Sequence, residues 1–272
     1  MAIPQPQPQD LVITLLGTYV RTGDRRVWSG GLVRLLGELG FSVAAARVTL
    51  ARLVARGLLA RERSGRLVHY RVTARCEALL AEGDERIFAL GSPVRGGEPW
   101  TVLWHEIPDE RRLERGRLAR RLRFLGFGTL RDGTWIAARN REREVVSLLD
   151  GLGVTGYAGV MVGKPAASLD FAGVAARVWD LDGLDERYGD FVEVFAPHAN
   201  GGTARHVADR DAFRLRTLLV NSFREFPLLD PELPSDVIPA PAHREEAVSL
   251  FHRLYGSLET PSQRHFDAVA AP

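Results

Sequence analysis

The stretch SVAAARVTLARLVARGLL (42–59), continued by LLARERSGRLVHYRVT (58–73), predicts an amphipathic helix that runs directly into a basic two-stranded hairpin. Ser42 suits a helix N-cap and Gly57 a C-terminal stop. Between them Ala46, Leu50 and Leu53 recur at i, i+4 and i+7, which makes one buried stripe. With Leu50 taken as the inward direction, steps of about 100° per residue turn Ala45, Val48, Thr49, Arg52 and Arg56 outward. A face of small residues punctuated by arginine fits a DNA major groove, which a bulky or acidic face would not. Ser64-Gly65 reads as the two-residue loop of the hairpin, flanked by Arg61, Arg63, Arg66 and His69. Residues 42–75 hold eight arginines and one glutamate, a local charge of +7 that matches a phosphate-contacting surface.

The residues before this stretch complete a motif. Ser29 is read as the cap of a helix carrying Leu32, Leu35, Leu36 and Leu39, ended by Gly40, with Gly40-Phe41 as the turn. An earlier helix over about 10–20 offers Leu11, Leu15 and Leu16, and Trp28 falls in the connection. Helix, helix, turn, helix and hairpin over 10–90 spell a winged helix-turn-helix. In that reading Arg52 reaches base edges, while Ala45, Val48 and Thr49 read methyl groups or groove shape. Ser42 and Arg56 hold phosphates, and Arg61, Arg63, Arg66 and His69 hold the adjacent groove or backbone. Arg47 lies nearer the core edge and anchors the helix or extends outward along it. A structural bundle without nucleic acid would leave the charge of the hairpin without a purpose.

Composition sets wider bounds. A length of 272 residues with 45% hydrophobic content is enough for two or three domains. Of the 36 basic residues 35 are arginine and Lys164 is the only lysine, so local excess over acid says more than arginine counts. Residues 1–90 hold 13 basic and 8 acidic side chains, 91–180 hold 14 and 11, and 181–272 hold 9 and 15. A basic front and an acidic back suit a DNA-binding end and an effector or assembly end. Cys76 stands alone, which excludes an intrachain disulfide and a multi-cysteine zinc site. No apolar run approaches a membrane span, and AIPQPQPQ reads as a disordered tail over 1–9 and not as a signal peptide. The expectation is a bacterial cytoplasmic protein, associated with the nucleoid when bound, with no cofactor, no metal and no membrane partner.

After a Gly/Pro-rich linker at 91–99 the pattern changes. WTVLWHEI (100–107) reads as a strand and DERRLERGRLARRLRFL (109–125) as a helix with Leu118, Leu122 and Leu125 inward. FGTLRDGTWIAA (127–138) is a hairpin turning at Asp132-Gly133, REREVVSLLDGLG (141–153) a helix and YAGVMVG (157–163) a strand. This β-α-β-β-α-β order predicts a ferredoxin-like domain over 98–165. Arg112, Arg120 and Arg123 point away from the leucine stripe, and the plainer reading of them is a solvated helix face. Residues 168–272 read as mostly helical, with helices at 180–195, 206–226 and 242–258 and a proline-rich break at 227–241. The fold class is therefore α+β in three parts.

Three stretches resemble one family. DLVITLLGTYV with SGGLVRLLGELGFSVAAARVTLARLVARGLLARERSGRLVHYRVT resembles the winged helix of PaaX-type repressors, regulators of phenylacetate degradation. GRLARRLRFLGFGTLRDGTWIA resembles their central domain, which has the fold of the small CRISPR adaptation endonucleases, and VWDLDGLDERYGDFVEVF with FREFPLLDPELPSDVIPAPAHREEAVSLFHRLYGSL resembles their C-terminal domain. One departure is IPAPAHRE (238–245), where the family often carries a tryptophan. The resemblance implies a homodimeric repressor that leaves its operator when an acyl-CoA binds, phenylacetyl-CoA in the founding branch. Such a ligand needs arginines at the mouth of its site and apolar or aromatic walls behind. Arg214, Arg216 and Arg224, with Trp179, Tyr188 and Phe223, are the candidates. The competing classes are a metal-dependent nuclease on the central domain, using Glu106 or Asp109 near His105, and a DNA-binding protein without an effector. No hydrolase elbow, zinc-protease motif or P-loop is present, and His198 reads as an incidental loop residue. The sign of regulation is left open between repression and activation.

Overall fold

The structure, a computed structural model, describes residues 7–20, 26–92, 98–166, 170–199, 207–235 and 238–272. Most of the expected tail and of the linker lies outside the described residues. Helix α1 (Pro8–Leu15) starts on a proline, whose missing N–H has no partner at that position anyway, and continues as a π-turn over Leu16–Val20. Strand β1 (Arg26–Trp28) follows, then α2 (Ser29–Glu38) and α3 (Val43–Ala55). Strands β2 (Leu59–Ser64) and β3 (Leu67–Val72) form the hairpin, and α4 (Ala74–Ala89) leaves it.

Three expectations are corrected here. The hairpin does not stand as a two-stranded sheet, because β1 pairs with β3 and gives a three-stranded antiparallel sheet of order β1-β3-β2. That pairing holds the backbone extended up to Trp28, so Trp28 takes the cap position of α2 and Ser29 is its first helical residue, not its cap. The hairpin loop is Gly65-Arg66, one residue later than expected, since Ser64 pairs with Leu67. Gly65 has φ +60° and Arg66 does not share the left-handed region, the pattern of a type II′ turn with glycine first.

The chain divides into two compact units. The first takes the residues up to Ala89, Asp190–Arg224 and the residues from Glu246 onward; the second takes Leu90–Gly189 and Glu225–Glu245. Residues 168–272 are thus divided between the two. In the first unit Leu15, Tyr19, Leu32, Leu35, Leu50, Leu53, Val72 and Cys76 share one core with Phe213 and Phe266. Phe213 comes from α9 (Asp209–Phe223), and Phe266 from α12 (Glu259–Ala270). Gly31 of α2 lies so close to α12 that an added Cβ would stand 2.5 Å from the Val269 carbonyl oxygen. Tyr19 stacks on Phe266 (4.9 Å, 9°), and its hydroxyl lies 3.3 Å from Thr217 Oγ1.

In the second unit β4 (Trp100–His105), α5 (Arg112–Phe124), β5 (Gly128–Arg131), β6 (Thr134–Ala137), α6 (Glu142–Gly151) and β7 (Ala158–Gly163) follow in the expected sequence. The sheet is antiparallel with order β5-β6-β4-β7, the split β-α-β arrangement of a ferredoxin-like domain. Leu103, Trp135 and Ala137 face Leu118, Leu122, Val145 and Leu149 of the two helices. On the opposite face Trp100, Ile136 and Ala138 pack with Ala175 of α7 (Phe171–Val178), with Trp179 and with Leu233. Helix α8 (Leu181–Phe195), the single turn α10 (Phe226–Leu229) and α11 (Arg244–Ser257) complete the described elements.

A buried polar network ties this unit together. The Tyr188 hydroxyl donates to Asp230 Oδ2 at 2.7 Å, and Arg244 Nε donates to the same oxygen at 2.6 Å. Asp230 Oδ1 accepts the Glu232 backbone N–H at 2.7 Å, and Glu232 pairs with Arg139 at 3.0 Å. Among the described residues Glu232 is the one non-glycine with positive φ, at +49°.

Candidate nucleic-acid interface

The local sequence builds α3 as a rigid rod. The Ser42 hydroxyl accepts the Ala45 N–H at 3.2 Å, which caps the start as expected. At the other end Leu58 N–H donates to Leu53 O (3.0 Å) and Gly57 N–H to Val54 O (2.9 Å), the paired bonds of a Schellman stop. Arg75, from the first turn of α4, donates to Arg56 O at 3.1 Å and closes the same end. The helix therefore enters the hairpin in a fixed direction, with its arginines held at defined heights.

The exposed face of α3 carries Ser42, Arg47, Val48, Arg52 and Arg56, with Ala45 half-buried. Val48, a large apolar residue, is 49% exposed. Thr49 is the correction: it is buried, at 7% exposure. Arg47 is exposed, which decides for the outward of its two readings and moves it off the core edge. One cause accounts for both. The stripe is centred between Leu50, Ala46 and Leu53, about 30–40° from Leu50 on the side of Thr49. Centring it on Leu50 alone rotates the helix, which turns Thr49 outward and brings Arg47 nearer the core edge.

On the hairpin Arg61, Arg63 and Arg66 are exposed. Arg61 pairs across the ladder with Tyr70 and Arg63 with Val68, which sets these two on one face. His69 pairs with Glu62 and Trp28, so it belongs to the opposite face and is half-buried there. Glu62 itself is taken up by Arg71 at 2.9 Å and Arg26 at 4.0 Å. The only carboxylate between residues 42 and 75 therefore neutralises the arginines of the other face. Among the described residues Arg61, Arg63 and Arg66 make no ion pair, and Arg63 Nε donates to Gly65 O at 3.1 Å. One feature escaped the sequence reading: Arg75 beside Arg56, whose signal was its place inside the +7 stretch.

The six effector candidates do not all share one unit. Arg216 and Phe223 lie on α9 in the first unit. Phe223 stacks on Phe251 at 3.9 Å, as core packing. Arg216 is 1% exposed, lies 4.2 Å from the Tyr255 ring centre and has Glu259 at 3.7 Å. Arg214 is exposed on the same helix, whereas Arg224 donates to Asp10 O at 2.9 Å and fastens α9 to α1. Tyr188 and Trp179 belong to the second unit. The Tyr188 hydroxyl is held by Asp230, and burial first, then the Asp230 charge, pushes its pKa far up.

The metal alternative finds little support in the geometry. Asp109 pairs with Arg115 at 2.9 Å. Burial, reinforced by the Arg115 charge, lowers the pKa of His105. Among the described residues no three histidine, cysteine or carboxylate side chains gather as metal ligands. No described helix is long and apolar enough to cross a membrane.

A capped helix with a cationic outer face, continued by a cationic hairpin and joined to a ferredoxin-like unit, defines a candidate nucleic-acid-binding protein of mixed α and β structure. Comparison with known proteins narrows the class. Residues 7–76 match the family described as PaaX-like protein, 95–173 the PaaX protein central Cas2-like domain, and 179–268 the PaaX-like protein C-terminal domain. The chain belongs to the PaaX-like family. It is 27% identical over 235 residues to the transcriptional repressor PaaX of Escherichia coli K12, covering 85% of this chain and 73% of that protein. It also shares its fold with an uncharacterized protein of Mycobacterium tuberculosis, Rv0674. The TM-score is 0.55 at 22% identity, over 98% of this chain and all of the other.

Proposed function

We propose that this protein is a DNA-binding transcriptional repressor whose residues 10–90 act as a winged helix-turn-helix. The observation that carries the reading is the run of exposed arginines from Arg47, Arg52 and Arg56 on α3 to Arg61, Arg63 and Arg66 on the hairpin. Arg52 stands in the middle of the exposed helix face and is assigned to a base edge, bidentate to guanine. Val48 and Ala45 meet thymine methyl groups or the groove wall, and Arg47 joins Ser42 and Arg56 as a phosphate contact. Thr49 drops out of the reading surface because it is buried. The hairpin arginines lie along the adjacent backbone or minor groove.

The finer parts of the proposal rest on the family resemblance of the sequence. The protein acts as a homodimer on a two-fold operator and is released by an effector of the acyl-CoA type. A ligand that loosens DNA binding 100-fold binds free dimer about 2.7 kcal/mol more tightly than operator-bound dimer. The deciding experiment is footprinting on the promoter of its own gene, followed by anisotropy titration of wild type and Arg52→Ala on operator and scrambled duplexes. Arg52→Ala is expected to cost about 1–3 kcal/mol on the operator and to relax preference at one base position per half-site. Equal affinity of wild type for both duplexes would remove the base-reading assignment. Titrating the operator complex with free acids and their CoA thioesters side by side tests the effector; release by neither leaves a DNA-binding protein without that ligand.

A further inference from the structure

Helix α5, in the second unit, carries more positive charge than its packing uses. Residues 109–125 hold seven arginines and three carboxylates. Four of the arginines are taken up by the unit itself. Arg111 donates to Gly153 O at 2.7 Å, and Arg115 donates to Asp109 at 2.9 Å and to Ile107 O at 3.3 Å. Arg121 lies 4.5 Å from the Phe124 ring centre, and Arg123 lies 5.3 Å from that of Trp135. The other three, Arg112, Arg117 and Arg120, are exposed. Among the described residues their side chains make no ion pair and no hydrogen bond.

These three share one side of the helix. Steps of about 100° per residue place them within an arc of roughly 140°, opposite Leu118 and Leu122, and over about 12 Å of axis. Leu113 and Gly116 fill the same side. Leu113 is 68% exposed, and a Cβ on Gly116 would meet nothing within 4 Å, so no other part of the described chain covers the middle of this face. No carboxylate enters it. Glu114 stands one turn before Leu118, on the leucine side, and is half-buried, while Glu110 precedes the helix. Helix stability does not account for the arrangement. Arg112 occupies the first helical position, where the dipole disfavours a cation, and Arg117 and Arg120 repel each other at i, i+3. A solvated face carries both signs, as α6 of the same unit does with Glu142, Arg143, Glu144 and Asp150 exposed. A face of one sign is relieved by a polyanion.

We propose that Arg112, Arg117 and Arg120 form a second DNA-contacting surface, which binds the phosphate backbone of duplex DNA without reading its sequence. The face carries arginine, leucine and glycine and none of the amide side chains that pair with adenine, so its contacts are with phosphates. A single strand would need a bare ring to stack on, and the nearest ring, Phe124, is covered by Arg121. A lipid surface would need the apolar side of the helix, and Leu118 and Leu122 are fully buried in the unit. The place of this surface in regulation rests on the repressor reading above, in which residues 10–90 select the operator. A backbone contact from α5 adds affinity and salt dependence and leaves that selection unchanged.

The test uses the full chain and two duplexes of about 40 base pairs, roughly four helical turns, one carrying the footprinted operator and one scrambled. Arg112→Gln/Arg117→Gln/Arg120→Gln keeps good helix formers at exposed positions. It is expected to lower the slope of log affinity against log salt by roughly 2–3 on both duplexes, and to weaken both about tenfold or more at about 0.1 M salt. The ratio of the two affinities is expected to stay at the wild-type value. Arg112→Lys/Arg117→Lys/Arg120→Lys is expected to keep the wild-type slope, because counterion release depends on charge and not on guanidinium geometry. Arg143→Gln/Arg177→Gln/Arg253→Gln removes three exposed arginines from other helices and is expected to leave the slope close to wild type. An unchanged slope in the α5 glutamine variant overturns the proposal. An equal fall in the variant of the other helices also overturns it, since the effect would then be one of net charge, and so does loss of the slope in the lysine variant. If duplex binding is unchanged and binding of poly-L-glutamate falls instead, the face belongs to an acidic protein. A wild type that binds both duplexes equally ends the repressor reading, while the slope on the scrambled duplex still decides the role of α5.

Discussion

Glu232 adopts φ +49° without being glycine, a conformation that costs about 1 kcal/mol or more and persists only where its surroundings impose it. Asp230 supplies much of that imposition, holding the Glu232 N–H, the Tyr188 hydroxyl and Arg244 at once. Asp230→Ala leaves Arg244, 15% exposed, without its nearest counter-charge, and is expected to destabilise the protein by about 3–5 kcal/mol in urea. Tyr188→Phe removes one hydrogen bond and is expected to cost about 1 kcal/mol or somewhat more, since its acceptor is charged. The pH response of Glu232 has a definite sign. Burial outweighs the pull of Arg139 and raises its carboxyl pKa, so the folded chain holds that proton more tightly than the unfolded chain. The associated stability is complete below the unfolded value, near 4.3, and is lost as pH rises through the folded value. Glu232→Gln should therefore gain stability relative to wild type as pH rises from the unfolded value through the raised folded value. A variant that loses ground over that interval would show that the Arg139 pair dominates instead. None of this network was legible in the sequence, because its members are separated by up to about a hundred residues and carry no spacing signal. Thr49 was misplaced, and Arg47 left between two readings, for a different reason: three stripe positions define a direction only when averaged.

Among the elements, the hairpin carries the clearest quantitative consequence. Each phosphate contact contributes nearly one unit to the slope of log affinity against log salt. Arg63→Ala/Arg66→Ala should reduce that slope by roughly 2 and weaken operator and scrambled duplex alike. An unchanged slope would make these side chains a solvated tip. The packing of α12 on α2 depends on Gly31, where an added Cβ meets backbone, not a movable side chain. Gly31→Ala is expected to cost about 1–3 kcal/mol by thermal or urea unfolding, with the far-ultraviolet spectrum retained. The long elements were legible from periodicity and end signals, including the whole β-α-β-β-α-β run. Strand β1 was not, being three residues long. Helices α7 and α12 were missed because their buried positions are small or polar: Ala175 in the first, Ser262 and Ala270 beside Phe266 in the second. Residues of that kind give no apolar stripe to read.

Across the whole molecule, sequence order does not follow spatial grouping. The chain passes between the two units after residues 89, 189, 224 and 245. An element-by-element reading yields contiguous segments and has no means of showing that Phe213 and Phe266 complete a core begun by Leu15 and Tyr19. For the same reason a fragment ending at residue 90 is expected to fold poorly. Losing the two phenylalanines removes burial of the kind that costs roughly 3–5 kcal/mol per side chain in core truncations. Dimerisation must then be tested on the full chain, since a fragment of 91–272 would expose α9 and α12. The argument for a dimer comes from recognition. In the proposed reading one α3 and one hairpin would meet a single half-site, and two-fold repetition would double those contacts on sites spaced by about one helical turn. Light scattering of the full chain is expected to give twice 30.1 kDa at concentrations that saturate the operator, and to give the same mass per operator in the complex. A mass of 30.1 kDa under both conditions would confine each molecule to one half-site and withdraw the two-fold operator.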